Sequence, residues 1–578
     1  MKWTVGKSGL PPIPWQLTPF SRIQRRISMP QTVIELLMSR LKAIGVTDVF
    51  GVPGDFAFAL NDAVDDDPDM RWIGCTNELN AAYAADGYAR VRGKAALCTT
   101  YGVGELSAIC GVAGSYTEHL PVFHLVGMPS ISTQRLGRVV HHTLGDGLFD
   151  AFAAMAKPVA CASAILTAEN AACQIERCIE AGLTRNRPVY MALPQDQANK
   201  ALPGEYVCAP EAPKSDPAVL AACLEAMAEK CAGAGTAVVL AGYLIARLGL
   251  RQAARELLER TGLPFATMFM DKTALDETLP GYVGLYDGRI MNPEVRDFVE
   301  GCDLVLNLGA HWSDFNTGAF TAHIDQSRMI AVMQHEVRVG YATFPNVEMR
   351  DVLAGLARLL PAKTISHPRA KGLGEPKGAP SDPITPDYLY PRWEKFLRPG
   401  DIVMAETGTV SMGLGFALMP EGAEFFNQTL WGAIGWATPA AFGAALGAPD
   451  RRTLLFTGEG AHQMTVQELG QFGLHGLKPI VFCLNNDGYL IERLLCKNPM
   501  SSYNDLAPWK YAELPAAFGL SDWFCAKVTT NAELEAAMAK AESCGTGAYI
   551  EVVMDRMAAS PLAQKLGESI KTLYASAK

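Results

Sequence analysis

An α/β fold of three doubly wound domains, each on a parallel sheet, is what this sequence predicts. Three observations predict it. Short apolar runs of strand length alternate with helical stretches along most of the chain, the pattern of parallel sheets covered by helices on both faces. Hydrophobic residues make up 49% of the chain and charged ones 19%, enough apolar material for several large cores. Two Pro-containing irregular passages divide the 578 residues into three segments of comparable size, where about 150 residues per domain would suggest roughly four and three larger ones also fit.

The elements follow in order. Residues 1–28 carry Lys2, Lys7, Arg22, Arg25 and Arg26, no acid, and Pro11, Pro12 and Pro14. No apolar stretch of signal-peptide type follows Arg25-Arg26, so a flexible extension on a cytoplasmic protein is expected rather than a secretory or twin-arginine signal. A first domain is expected over 29–208. It opens with a helix, Val33, Leu36, Leu37, Leu41 and Ile44 recurring at helical spacing with Gly45 as the stop. A strand from Asp48 to Val52 runs into the turn Gly51-Val52-Pro53-Gly54-Asp55, and a buried strand bounded by prolines closes the domain at Pro188 to Pro194. The Pro- and Ala-rich stretch Ala209 to Pro217 reads as a linker. A second domain, 209–385, has strands at Ala237 to Ala241, Leu304 to Leu308 and Met329 to Val332, and ends in the irregular passage Ala362 to Asp387. A third, 386–578, has strands at Thr453 to Thr457, Ile480 to Leu484 and Tyr549 to Met554, then a helical stretch from Ala559 to Tyr574 that is expected to close over the site as a lid.

A formal net charge of −10 argues against nucleic acid or an anionic membrane as partner. No apolar run approaches the roughly 18 residues of a membrane span. The 14 cysteines are scattered without a CxxC pair, as expected of small buried hydrophobes rather than disulfides or zinc ligands.

The chemistry-bearing residues cluster where strands end. Gly458-Glu459-Gly460 follows the strand Thr453 to Thr457, and Asn485-Asn486-Asp487-Gly488-Tyr489 follows Ile480 to Leu484, with Glu459 and Asn486 27 residues apart. In a parallel sheet ligands bind beyond the carboxyl ends of strands. Adjacent strand ends there can place the Glu459 carboxylate, the Asn486 side-chain oxygen and the Gly488 carbonyl around one Mg²⁺ that also takes diphosphate oxygens.

This arrangement resembles the thiamine diphosphate motif, in which Gly-Asp-Gly is followed about 27 to 30 residues later by Asn-Asn. Cys75-Thr76-Asn77-Glu78-Leu79-Asn80-Ala81-Ala82-Tyr83-Ala84-Ala85-Asp86-Gly87-Tyr88-Ala89-Arg90 resembles the N-terminal hallmark of the thiamine diphosphate-dependent 2-oxo acid decarboxylases (pyruvate, indolepyruvate and phenylpyruvate decarboxylases). So do Gly51 to Asp55, Thr100 to Ser107, the pair His141-His142 and Trp431-Gly432-Ala433-Ile434-Gly435-Trp436. The resemblance runs from residue 29 to about 575 and implies pyrimidine-binding, central and diphosphate-binding domains in that order. One departure stands out: the usual metal-binding Asp is Glu459, one methylene longer.

The resemblance implies roles. Removing CO₂ from a 2-oxo acid leaves an acyl carbanion, which needs an electron sink that no ordinary side chain supplies; the cofactor's thiazolium ring does. Glu78 matches the glutamate that hydrogen-bonds the pyrimidine and makes its amino group basic. The Gly432 carbonyl would receive that amino group, and Ile434 would wedge between the rings to hold the cofactor bent. Thr407, Gly458, Glu459, Gly460, Asn486 and Gly488 complete the cofactor set. Asp55, His141, His142 and Glu492 match the decarboxylase quartet, Glu492 near the substrate carboxylate and Asp55 and His142 suited to protonating the carbanion. Adjacent histidines on a strand point in different directions, so one structural and one functional histidine is the plainer expectation. Metal binding by the pair is not expected, since no Cys or acid has ligand spacing. Ser411 stands where strict pyruvate enzymes carry a bulky aromatic and, with Met412 and Ile491, would line a pocket roomy enough for branched or aromatic 2-oxo acids. Thr407 still resembles the pyruvate enzymes.

The resemblance thus implies a non-oxidative carboxy-lyase using thiamine diphosphate and Mg²⁺ and releasing an aldehyde and CO₂. The active unit would be a homodimer, the Glu78 and Glu459 domains around one cofactor belonging to different chains, with a homotetramer expected. Three other readings stand beside it: an acetolactate-synthase-like carboligase, which lacks the His141-His142 pair; a cofactor-free scaffold, because of Glu459; and a nucleotide-binding regulatory module.

Overall fold

The computed structural model describes residues 31–203 and 213–576, apart from the side chains of 570–576. The extension expected at 1–28 and residues 209–212 of the first linker lie outside the described residues.

Three sheets form the frame. The first comprises β1 (Asp48–Gly51), β2 (Arg71–Gly74), β3 (Ala95–Thr99), β4 (Val122–Met128), β5 (Ala162–Ile165) and β6 (Val189–Pro194), all parallel, in the order β2-β1-β3-β4-β6-β5. Strands β3, β4 and β6 are buried at every residue, as apolar runs covered on both faces require.

The second sheet contains β7 (Ala237–Ala241), β8 (Phe265–Thr267), β9 (Tyr282–Leu285), β10 (Leu304–Leu308), β11 (Met329–Val332), β12 (Glu336–Val339) and β13 (Ala342–Pro345), ordered β13-β12-β11-β10-β7-β8-β9. It is not wholly parallel: β12 and β13 run antiparallel at one edge. The linkers from β11 to β12 and from β12 to β13 are too short for a helical crossover, so only hairpins fit.

The third sheet is parallel again, with β14 (Ile402–Ala405), β15 (Glu424–Phe426), β16 (Thr453–Gly458), β17 (Ile480–Asn485), β18 (Phe524–Val528) and β19 (Ala548–Val553). Its order, β15-β14-β16-β17-β19-β18, repeats the topology of the first sheet.

The first and third sheets meet through two helices, Glu78–Arg92 and Ala437–Gly447, rich in Ala and Gly. A Cβ on Gly87 would lie 1.9 Å from the Ala440 carbonyl oxygen, and one on Gly443 would lie 1.8 Å from that of Ala84. Only glycine permits so close an approach of two backbones. Buried Asp86 joins the two helices, its Oδ1 accepting hydrogen bonds from Arg90 Nε at 2.7 Å and Trp436 Nε1 at 2.9 Å, and its Oδ2 one from Ser115 Oγ at 2.9 Å. Among the described residues no helix is long and apolar enough to cross a membrane. The C-terminal helix, Pro561–Ser576, buries Leu562, Ala563 and Leu566 against Met412 and Leu490.

Candidate active site

The candidate residues fall into two groups at strand ends, one in the first domain and one in the third. In the first, Glu78 opens its helix at the N1 position, and Asn77 caps it by accepting the Asn80 amide at 2.8 Å. The helix N-terminus favours a carboxylate there. Glu78 is half-buried, and a Cβ on Gly104 would lie 3.1 Å from its Oε1, so that glycine clears the space the carboxylate occupies. The turn before Glu78 is anchored from the third domain. Glu468, fully buried, accepts Thr76 Oγ1 at 2.6 Å and Asn80 Nδ2 at 2.8 Å.

Asp55 begins a 3₁₀ turn after β1 and meets both histidines: His141 Nε2 is 2.7 Å and His142 Nε2 3.9 Å from its carboxylate oxygens. This corrects two expectations. The histidines lie on a turn, not a strand, and His142 takes φ +61°, which swings both rings toward one carboxylate. Thr143 Oγ1 closes the turn onto the Val140 carbonyl at 2.6 Å. The fold also supplies the acid that the sequence spacing lacks, since ligand atoms of Asp55, His141 and His142 all lie within 4.8 Å of one another. Phe56 stacks on His141 at 4.7 Å between centroids and fixes its ring. At 2.7 Å the Asp55–His141 contact is a hydrogen bond, the spacing of a proton-carrying pair.

In the third domain, the apolar interior strands β16 and β17 run side by side and deliver Glu459 and Asn485–Gly488 to adjacent ends. Glu459 Oε1 accepts the Asn486 amide at 3.1 Å and the Gly488 amide at 2.9 Å. Burial pushes its carboxyl up to about 7, because the charged form loses water. The Asn486 side-chain oxygen faces only acceptors, Glu459 Oε1 at 3.1 Å and the Gly488 carbonyl at 3.0 Å. Exchanging the amide oxygen and nitrogen would turn both contacts into hydrogen bonds in a metal-free site. In the oxygen-inward orientation they match the edge of a Mg²⁺ octahedron, about 2.9 Å for ligands at 2.0–2.1 Å. The donor set, a carboxylate, an amide oxygen and a backbone carbonyl, suits a hard divalent cation, so these residues fit the metal.

The remaining residues surround this centre. Gly458 ends β16, and a Cβ on Gly460 would strike Tyr489 at 2.6 Å. Thr407, after β14, donates its hydroxyl to the Gln428 carbonyl at 3.0 Å. Gly432 has φ +69° and is exposed, Ile434 is half-buried, and Thr465 Oγ1 holds the Gly435 carbonyl at 2.7 Å. Ser411 and Met412 are buried in the short helix Thr409–Leu414, with Ser411 Oγ donating to the Gly408 carbonyl at 3.1 Å. Ile491 packs partly against the cluster that holds Met412. Glu492 lies in the first turn of the helix Leu490–Leu495 and is exposed.

Among the described residues, no hydrogen bond or ion pair of this chain joins Asp55, His141, His142 or Glu78 to Glu459, Asn486 or Glu492. Three residues beyond the sequence reading support the site. Glu468 braces the Glu78 turn. Glu406, its carboxyl raised to about 8 by burial, accepts the Thr407 amide at 3.0 Å and the Ala437 amide at 3.2 Å, tying the end of β14 to the loop that carries Ile434. Arg493, fully buried, grips the Asp487 carbonyl. A charge inside an apolar run is the one signal the sequence offers for them, as in Leu490-Ile491-Glu492-Arg493-Leu494-Leu495.

Comparison with known proteins finds thiamine pyrophosphate enzymes along all three domains. Residues 31–154 match the N-terminal TPP binding domain of thiamine pyrophosphate enzymes, 224–359 their central domain and 406–552 their C-terminal TPP binding domain. The chain is 39% identical over 535 residues to an alpha-keto-acid decarboxylase of Mycobacterium avium, covering 91% of this chain and 94% of that one. It is 39% identical over 515 residues to a pyruvate decarboxylase of Kluyveromyces marxianus, covering 87% and 91%. In fold it is similar to the benzoylformate decarboxylase of Polynucleobacter necessarius, with a TM-score of 0.76, 19% identity and coverage of 92% and 100%. Matched in all three domains and over nearly the whole length of such relatives, the chain belongs to the thiamine diphosphate-dependent 2-oxo acid decarboxylase family.

Proposed function

We propose that the protein removes CO₂ non-oxidatively from a 2-oxo acid larger than pyruvate, branched or aromatic, using thiamine diphosphate held by Mg²⁺, and releases the aldehyde. The observation that carries the cofactor part is the Asn486 side-chain amide lying 3.1 Å from Glu459 Oε1 and 3.0 Å from the Gly488 carbonyl oxygen. It also weighs against a cofactor-free scaffold, because the longer Glu459 still reaches the other two ligands.

When bound, thiamine diphosphate supplies the electron sink for the carbanion left by CO₂. The side chains do the rest. With the cofactor bound, Glu78 would hold a proton against its pyrimidine nitrogen, and Ile434 and the Gly432 carbonyl would line the same site. Asp55 and His142, oriented through His141 and Phe56, deliver the proton that completes the aldehyde. Glu492 favours loss of the substrate's negative carboxylate as neutral CO₂. The Asp55–His141–His142 cluster favours this outcome over the carboligase, which must keep the carbanion unprotonated until a second carbonyl arrives. Ser411 supports the larger substrate, since a short side chain, bonded back to the Gly408 carbonyl, stands at the position matched to the bulky aromatic of strict pyruvate enzymes.

The two groups of residues act together in a homodimer, with a dimer of dimers as the larger assembly and the cytoplasm as its location. Exposed apolar residues flank each half: Val103 (52% exposed) beside Gly104, Trp431 (43%) beside Gly432 and Met464 (50%) on the helix that starts at Glu459. Such surfaces await a partner.

Assay of the purified protein with thiamine diphosphate and Mg²⁺ on pyruvate, 3-methyl-2-oxobutanoate, phenylpyruvate and indolepyruvate tests the proposal, with aldehyde and CO₂ scored together. The expected result is a higher kcat/KM for the larger acids. Preference for pyruvate would overturn the substrate, and acetolactate as sole product would overturn the reaction.

A further inference from the structure

Arg493 is a fully buried cation whose partners are mostly neutral. Its Nη2 donates to the carbonyls of Asp487 at 2.9 Å and Asn504 at 3.3 Å and to the Asp505 carboxylate at 2.9 Å, and its Nη1 donates to the Pro499 carbonyl at 2.7 Å. Its Nε has no partner, and the Asp505 side chain remains 51% exposed. Burying a guanidinium costs several kcal/mol, and one half-exposed carboxylate offsets little of that. The planar fork instead ties separate stretches of backbone together, which a lysine cannot match.

Those stretches enclose Gly488. A Cβ there would lie 2.4 Å from Arg493 Nη2 and 2.3 Å from the Asn504 carbonyl oxygen, and its φ is +140°. The Tyr489 amide also donates to that Asn504 carbonyl, at 3.0 Å. Asp487, at φ +58°, is held at both ends: its carbonyl by Arg493 and its side chain by Arg556. The turn that presents the Asn486 oxygen and the Gly488 carbonyl is thus bolted to the loop 499–505 by one side chain.

We infer that Arg493 is a positioning residue for the divalent cation, fixing the turn Asn485–Gly488 so that its two oxygens face Glu459. The inference rests on the Mg²⁺ reading of that centre. Glu459 has one more rotatable bond than an aspartate, so more of the ordered geometry that Mg²⁺ demands falls to the other two ligands. Ca²⁺, with longer bonds and looser geometry, depends on it less.

The test is equilibrium binding of Mg²⁺ and of Ca²⁺ to the full chain in the presence of thiamine diphosphate, followed by intrinsic tryptophan fluorescence, for wild type, Arg493→Met and Arg493→Lys. Melting of each metal-free protein is measured alongside. Arg493→Met is expected to lose about tenfold or more in Mg²⁺ affinity and only about two- to threefold for Ca²⁺, with Arg493→Lys between it and wild type. A lowered melting temperature with an unchanged Mg²⁺-to-Ca²⁺ preference would show a packing role only and overturn the inference. Should Arg493→Met fail to fold, the preference of Arg493→Lys decides in the same way. If wild type binds neither cation alongside the cofactor, the functional reading falls and this inference with it; if wild type binds Mg²⁺ and the variants keep its preference, the inference alone falls.

Discussion

Trp436 and Asp86, 350 residues apart, share a hydrogen bond of 2.9 Å in the interior, and the Arg90 guanidinium lies 4.5 Å above the indole ring centroid. The bond links the helix that begins with Glu78 to the loop that carries Gly432 and Ile434. Trp436→Phe keeps an aromatic ring but removes the donor together with part of the buried volume. It should lower stability by about 1–3 kcal/mol, the range for losing a buried bond to a charged acceptor, seen as a lower melting midpoint. An unchanged midpoint would show that Asp86 is satisfied by Arg90 and Ser115 alone.

Glu78→Gln tests the activation of the cofactor. The substitution keeps the size and the helix start, but glutamine cannot hold the ionisable proton at the pyrimidine nitrogen. CO₂ release should fall by at least about 10²-fold, while thiamine diphosphate still binds, because the proposed diphosphate and metal contacts lie on Glu459, Asn486 and Gly488. Fluorescence titration of cofactor beside a CO₂ assay separates the two; ordinary turnover would refute the role.

Metal binding should depend on pH through Glu459. Its carboxyl titrates near 7 in the fold against 4.5 for an ordinary glutamate, so below about 7 a proton competes with the cation. Mg²⁺ affinity should weaken toward tenfold per unit as pH falls below that value and level off above it. The sign for the metal-free fold is opposite. Between about 4.5 and 7 the folded chain keeps a proton that the unfolded chain releases, so this group's contribution to stability declines as pH rises through that window. Melting curves in chelator and in Mg²⁺ at pH 5.5 and 7.5 should therefore diverge more at the higher pH.

Ser411→Phe should narrow the substrate pocket. The expected result is a drop of about tenfold or more in kcat/KM for phenylpyruvate and indolepyruvate relative to pyruvate. A melting temperature lowered with no change in that ratio would mean that the ring only overpacks the helix Thr409–Leu414.

Much of the fold could be read before the structure. Strands at Ala237–Ala241, Leu304–Leu308 and Met329–Val332 lie where their apolar runs placed them, because a strand buried on both faces leaves an uninterrupted hydrophobic signature. The antiparallel edge of the second sheet left none. In β12 the residues Glu336-Val337-Arg338-Val339 alternate, a period that does not distinguish parallel from antiparallel neighbours. The identical strand order of the first and third sheets was equally hidden, since topology is set by which faces pack and not by repeated residues. At the site, the spacing of Glu459 and Asn486 was legible because each ends a strand. The posture of the two histidines was not, for it depends on a left-handed φ at His142 that no local residue pattern announces. Glu468 acts across the fold on Thr76, 392 residues away, where sequence distance carries no information, and Arg493 holds carbonyls of an irregular loop that has no periodicity to announce them.

The near-contact of Gly87 with Ala440 and of Gly443 with Ala84 has a bearing on recombination. Hybrids that splice the front of this polypeptide to the back of a relative would bring together two surfaces fitted separately, and a single methyl on either side would pry them apart. Fragment exchange should succeed only when both faces travel as a matched set.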